Sequence, residues 1–220
     1  MNLQNVEQAR FNMIEQQIRP WNVGDSAVLG LLASVKREDF VPLAQKSLAF
    51  SDIAIALPGG QAMLAPRVQA RLLQDAALQP TDKVLEIGTG SGFLAAMMAK
   101  QAQRVISLEI NPEIADFARA NLQRAGISNV EVRVADGSKG TPAEAPFDVI
   151  MLGGSVAEVP KALLDLLKVG GRLVAIVGDE PIMHAQTITR TSGTNFTVSS
   201  KWEDNTPRLV NFPQPSTFKF

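Results

Sequence analysis

Three carboxylates and one run of glycines are the residues of this chain whose types and spacing can do chemistry. Val84-Leu85-Glu86-Ile87 is a short apolar run ending on Gly88-Thr89-Gly90-Ser91-Gly92, and a helical pattern starts at Phe93. Glycines between a strand and a helix let backbone approach a ligand closely, with the helix N-terminus facing it. The spacing is Gly-x-Gly-x-Gly. The dinucleotide fingerprint puts its third glycine one place later, where this chain has the bulky Phe93. Glu86 stands two residues ahead of the first glycine. A carboxylate there repels a pyrophosphate and suits a cationic ligand. Glu109 closes the second strand, 19 residues after Gly90. In that place a carboxylate accepts both hydroxyls of a ribose, and Ile110 beside it is counted with the site. Asp136-Gly137 closes the third strand, where a side-chain oxygen can take the exocyclic amine of adenine. Together these residues describe a nucleoside bearing a cationic amino-acid arm, which is S-adenosylmethionine.

That cofactor carries an activated methyl group, so the protein has only to align a nucleophile and exclude water. The chain has no cysteine, which removes thiol nucleophiles, disulfides and Cys-ligated metals. The fourth strand ends Met151-Leu152-Gly153-Gly154 and lacks the Asn/Asp-Pro-Pro-aromatic motif of enzymes that methylate base amino groups. The single histidine, His184, falls in a hairpin and reads as a surface or packing residue. With one histidine and no cysteine, no metal site is expected. A carboxylate acceptor is already ionised at pH 7 and needs no general base, which fits a base-poor site best.

The elements that must position these groups follow from the rhythm of the chain. It has 220 residues, 21 basic and 22 acidic, hence a formal net charge of −1, with 45% hydrophobic and 20% charged residues. That is an ordinary globular composition, with no basic stripe for nucleic acid and no apolar run long enough for a membrane span. The N-terminus is not a secretory signal, and a cytoplasmic protein is expected. Residues 1–80 read as a helical cap and a loop. Val6 to Ile18 has helical spacing, Asp25 can cap a helix over Ser26 to Lys36, Ser51 to Pro66 is mainly loop, and Arg67 to Leu78 is a third helix. From residue 81 onward, strands at Lys83–Ile87, Arg104–Ile110, Val130–Val134, Phe147–Leu152 and Arg172–Val177 alternate with helices, Val159–Leu167 being the last. Such alternation predicts an α/β fold, a Rossmann-like seven-stranded, mostly parallel sheet. His184–Thr191 and Phe196–Lys201 alternate in period two and should close it as an antiparallel C-terminal hairpin. The tail Asn211–Phe220, with three phenylalanines, should pack against the body.

The ordered set of motifs resembles the protein-L-isoaspartate O-methyltransferase family along almost the whole chain. Met13-Ile14-Glu15-Gln16-Gln17-Ile18 through Asp39-Phe40-Val41-Pro42 is similar to the family's N-terminal helices, and Val84–Gly92 to its cofactor loop. Ala135-Asp136-Gly137, Ala145-Pro146-Phe147-Asp148 and Gly170-Gly171-Arg172-Leu173-Val174 follow in the family's order. The resemblance implies a cytoplasmic enzyme that methylates the carboxylate of isoaspartyl residues in proteins or peptides and so starts their repair. It also implies a substrate loop, Gly-Gln-Thr-Ile-Ser-x-Pro, whose serine holds the acceptor carboxylate. Here that loop reads Gly60-Gln61-Ala62-Met63-Leu64-Ala65-Pro66, with Ala62 at the threonine position and Leu64 at the serine position. The acceptor-side residue is therefore open. The alternatives are a paralogue acting on a small molecule or RNA, or a protein that binds the cofactor without turnover.

Overall fold

A computed structural model describes residues 3–214. The central sheet has seven strands: β3 (Lys83–Ile87), β4 (Arg104–Glu109), β5 (Val130–Val134), β6 (Phe147–Val156), β7 (Leu167–Asp179), β8 (Ile182–Arg190) and β9 (Phe196–Glu203). Their order is β5-β4-β3-β6-β7-β8-β9. The pairs from β5 to β7 are parallel, and β8 and β9 add antiparallel at one edge. The order turns back between β4 and β6 on either side of β3. In an open α/β sheet that reversal leaves a crevice at the carboxyl ends of the strands. The seven-stranded, mostly parallel sheet with its antiparallel hairpin is the expected architecture.

Helices α4 (Phe93–Ala99) and α5 (Pro112–Arg124) cross over between the parallel strands. Asn111 starts α5 as read from the sequence: its side chain accepts from the N–H groups of Glu113 and Ile114, and Pro112 takes the first helical position. Asp25 does the same for α2 (Ser26–Ser34), accepting from Ala27 and Val28. Before the sheet lie α1 (Leu3–Asn12), a π-helical stretch Met13–Ile18, α2 and α3 (Pro66–Ala76). The segment expected to be loop holds a small antiparallel ladder, β1 (Ile55–Ala56) with β2 (Ala62–Met63).

One hydrophobic cluster runs from Met13, Ile18, Leu32 and Phe40 through Leu64, Leu72 and Leu73 to Phe93, Val105 and Val149. The N-terminal helices thus bury their apolar faces against one face of the sheet. A second cluster, with Leu85, Ile106, Phe147, Leu163 and Phe212, covers the other face.

Several boundaries differ from the sequence pattern: the strand expected to end at Leu152 runs on to Val156, and α2 stops at Ser34 rather than Lys36. The helix expected over Val159–Leu167 is a single turn, α6 (Lys161–Leu164). Leu167 is drawn into β7 because it pairs with Phe147, so the strand begins five residues before Arg172. The tail beyond Gln214 lies outside the described residues; within them, Phe212 is buried. None of the described helices is long and apolar enough to cross a membrane.

Candidate functional site

The glycine loop leaves β3 and turns into α4 with Gly88, Gly90 and Gly92 all in the left-handed region, at φ of 88°, 54° and 83°. Side chains rarely adopt that conformation, which is why the loop is spelled with glycine at alternate positions. Gly153, inside β6, is required for a different reason. A Cβ there would collide with the carbonyl oxygen of Gly88. Gly153 thus lets the glycine loop lie directly on β6, while its neighbour Gly154 gives the same clearance to the Pro207 carbonyl and Leu209.

Glu109 braces this loop. Its Oε2 accepts from the Gly90 N–H at 3.0 Å and its Oε1 from the Asn111 N–H at 3.1 Å. One carboxylate therefore ties the loop after β3 to the start of α5. Glu109 is only 5% exposed, yet it lines a cavity with Gly88, Gly90, Ile110, Ala135 and Gly137. Gln61, Ala62, Ile87, Leu108, Gly153, Leu209, Val210 and Phe212 complete the lining. Glu109 is the sole titratable side chain among the described residues that line it.

Not every residue singled out in the sequence reaches this cavity. Gly88, Gly90, Glu109, Ile110 and Gly137 do. Asp136 stands beside it on an exposed turn, its Oδ1 accepting from the Ser138 N–H at 2.9 Å. Thr89 and Ser91 are buried under the loop. The Thr89 hydroxyl lies 2.6 Å from that of Ser107, which donates in turn to Glu86 Oε2. Glu86 is fully buried and does not line the cavity, and its Oε1 has no partner. Of the substrate-loop trio, Ala62 reaches the cavity, whereas Met63 and Leu64 turn into the core, at 2% and 4% exposure. His184 sits on β8 beside Glu203, outside the lining. Among the described residues there is no cluster of acidic or histidine side chains fit to hold a metal.

Burial pushes the Glu86 carboxyl up to about 8; the Ser107 hydrogen bond opposes the rise and the nearby Glu109 charge adds to it. A carboxyl whose folded pKa lies above its unfolded value binds more protons when folded, so stability falls as pH rises from about 4.5 to 8. Glu86→Gln, which stays neutral throughout, should remove that slope. Thermal melts at pH 5 and pH 8 will show the variant's midpoint rising relative to the parent's toward pH 8. A gap independent of pH would mean that Glu86 is already ionised in the fold.

Sequence reasoning missed two contributors. Arg37 is completely buried, and its guanidinium joins three segments. It donates to the carbonyls of Ala49 (3.0 Å) and Leu64 (2.8 Å) and to Gln69 Oε1, and it lies 5.1 Å over the ring of Phe93. The segment around Leu64 and the first residue of α4 are thereby held by one side chain. Burial pulls its pKa down to about 9, with Asp52 opposing. The second contributor is the segment after β9, whose Leu209, Val210 and Phe212 supply one wall of the cavity. Its apolar run is visible in sequence, but its destination is not.

A sheet of this order, with a Gly-x-Gly-x-Gly loop after β3 and an acid closing β4, fits the class of S-adenosylmethionine-dependent methyltransferases. The sequence profile described as Protein-L-isoaspartate(D-aspartate) O-methyltransferase (PCMT) matches residues 8–204. A Protein-L-isoaspartate O-methyltransferase of Methanoculleus marisnigri is 43% identical over 169 residues, 77% of each chain. The Protein-L-isoaspartate O-methyltransferase 2 of Marinobacter nauticus is 38% identical over 198 residues, 90% of each chain. In structure, a Plasmodium falciparum chain of the same family name, crystallised with S-adenosyl-L-homocysteine, superposes with a TM-score of 0.76. It is 21% identical, and the match covers 91% of this chain and 95% of that one. The chain belongs to the protein-L-isoaspartate(D-aspartate) O-methyltransferase family.

Proposed function

We propose that this enzyme transfers a methyl group from S-adenosylmethionine to the side-chain carboxylate of isoaspartyl residues in peptides and proteins. One observation supports the choice of acceptor: among the described residues that line the cavity, the single titratable group is Glu109, whose two oxygens each accept a backbone N–H and whose remaining lone pairs face the ribose site. An acceptor that must lose a proton would find no partner there, whereas an ionised carboxylate needs none. The names of the relatives point to the same acceptor. In this reading residues 1–80 form the cap and substrate loop, residues 81–220 the cofactor-binding core, and the enzyme serves protein repair in the cytoplasm.

The residues suit the cofactor. Glu109 spends one lone pair of each oxygen on the loop and keeps the others for two ribose hydroxyls. Gly88, Gly90 and Gly137 bring backbone to the cavity without side chains and Ile110 lines it beside them; Asp136, on the turn between Ala135 and Gly137, offers a carboxylate to the adenine amine. Thr89, Ser91 and Gly92 shape the loop from below. Glu86 acts on the ligand through that loop, by way of Ser107 and Thr89, because its carboxyl is sealed from the cavity. When bound, the cofactor supplies a methyl group on a sulfonium, a leaving group that needs no acid. The protein has to hold the acceptor carboxylate in line and keep water away. Ala62 and the apolar wall of Leu209, Val210 and Phe212 perform the exclusion.

Methyl transfer from labelled cofactor to an isoaspartyl peptide, with the matching aspartyl peptide as control, tests the reading. Label is expected in the isoaspartyl peptide alone. Equal labelling of both, or labelling of neither, would overturn the acceptor assignment.

A further inference from the structure

After β9 the chain crosses the carboxyl ends of the sheet, and Ser155 near the end of β6 holds it there. The Ser155 N–H donates to the Pro207 carbonyl at 2.8 Å and its hydroxyl to the Thr206 carbonyl at 2.7 Å, while its carbonyl accepts from the Leu209 N–H at 2.9 Å. Leu209, Val210 and Phe212 then enter the cavity lining, and Phe212 joins the cluster that contains Ile87 and Leu108. Asn211 stands among them, exposed and in the left-handed region at φ 65°. Its Nδ2 donates to Asp136 Oδ2 at 3.1 Å. The other oxygen of Asp136 is the one held by the Ser138 N–H.

We infer that Asn211 is a positioning residue for purine selection: from the tail it fixes the Asp136 carboxylate as an acceptor for the 6-amino group of a bound adenine nucleoside. This rests on the assignment of Asp136 to adenine made above. A carboxylate oxygen has two lone-pair directions, so the bond to Asn211 leaves Oδ2 able to accept a second donor. An aspartate on an exposed turn samples rotamers when free. One anchor on each oxygen removes that freedom before the ligand arrives, which lowers the ordering cost of binding. The anchors also favour the ionised form: the Ser138 N–H first, with Asn211 contributing, holds the carboxyl below the usual carboxylate range. An ionised carboxylate only accepts. It pairs with a 6-amino group and is repelled by the 6-oxo group of hypoxanthine. The backbone of Asn211 has its own part, because φ 65° is a conformation that few side chains other than asparagine tolerate.

That conformation also selects the test. Asn211→Gly keeps the left-handed turn and deletes only the amide. Titration calorimetry with S-adenosylhomocysteine and its inosine counterpart reads the preference for the amino group. The parent should prefer the adenosine form. Asn211→Gly should cut that preference roughly two- to tenfold, the range of one hydrogen bond of ordinary net strength, with affinity for the inosine form nearly unchanged. Asn211→Asp, of the same shape but with a like charge facing Asp136, should cut it as well and serves if the glycine variant fails to fold. A preference retained in full by a folded variant overturns the role of Asn211 alone. Equal binding of the two nucleosides by the parent overturns the Asp136 assignment, and this inference with it. A parent that binds neither overturns the cofactor site itself.

Discussion

Replacing Glu109 by Ala should weaken binding of S-adenosylhomocysteine by at least about tenfold, the factor that 1.4 kcal/mol represents. Two ribose hydroxyls donating to one carboxylate are charge-assisted bonds, each worth roughly 1.5–3 kcal/mol. The same side chain also holds the N–H groups of Gly90 and Asn111, so the alanine variant loosens the loop as well as deleting the acceptor. Glu109→Gln tests the same two roles with a side chain of the same size. A glutamine amide keeps a single oxygen, which can satisfy one of these backbone donors and leaves an NH2 group facing the other. The glutamine variant should therefore bind less tightly than the parent by about the alanine factor, because its loop is disturbed too. Thermal midpoints without ligand should fall for both, since each variant leaves at least one of the Gly90 and Asn111 N–H groups without its acceptor. Calorimetric affinity unchanged in the alanine variant would remove Glu109 from the ribose site.

Much of this arrangement was legible because it is written in local rules. The alternation of short apolar runs with helical stretches foretold the parallel sheet, and the period-two segments after Gly178 foretold the antiparallel edge. Asp25 and Asn111 read as caps and are caps, because the bond joins residues two and three apart in sequence. The glycine loop and Glu109 were legible for a related reason: strand-end chemistry recurs at fixed spacing. Arg37 was not, since its partners lie 12 to 32 residues away and nothing local distinguishes it from the solvated Lys36 beside it. Nor does the sequence show that Glu86 faces Ser107 rather than the cavity, because the side of a fully buried strand on which a residue falls depends on its neighbours in the sheet. The wall made by Leu209, Val210 and Phe212 depends on a bridge from Arg208 to Ser155, 53 residues earlier. Such long-range pairing leaves no periodic mark.

Leu64 is where the family pattern and this chain part, and the structure gives the two substituted loop positions different fates. Leu64→Ser should lower stability by about 2–5 kcal/mol, the range for truncating a buried leucine, with a buried hydroxyl adding to the cost. The leucine side chain is 4% exposed in the core cluster, and the residue touches the site through its carbonyl, which accepts from Arg37. For a chain of this length the loss corresponds to a drop in thermal midpoint of roughly 4–20 °C. Ala62→Thr is the opposite case. Ala62 is half-buried and lines the cavity, so a threonine there can turn its hydroxyl toward an acceptor carboxylate without disturbing the core. A hydrogen bond to a charged group is worth about 1.5–3 kcal/mol, or roughly 10- to 150-fold in rate if it forms fully in the transition state. The parent, with neither hydroxyl, should methylate isoaspartyl peptides slowly. Ala62→Thr should raise that rate several-fold with an unchanged melting point, and Leu64→Ser should add little beyond instability. Cofactor affinity should change far less than the rate in Ala62→Thr: residue 62 shares the cavity, but Glu109, Asp136 and the glycine loop are untouched. Melting curves and single-turnover methyl transfer on the two single variants and the double variant decide the matter. If Leu64→Ser raises turnover while keeping the parent's melting point, residue 64 faces the acceptor, and the hydroxyl that holds the substrate belongs there rather than at 62.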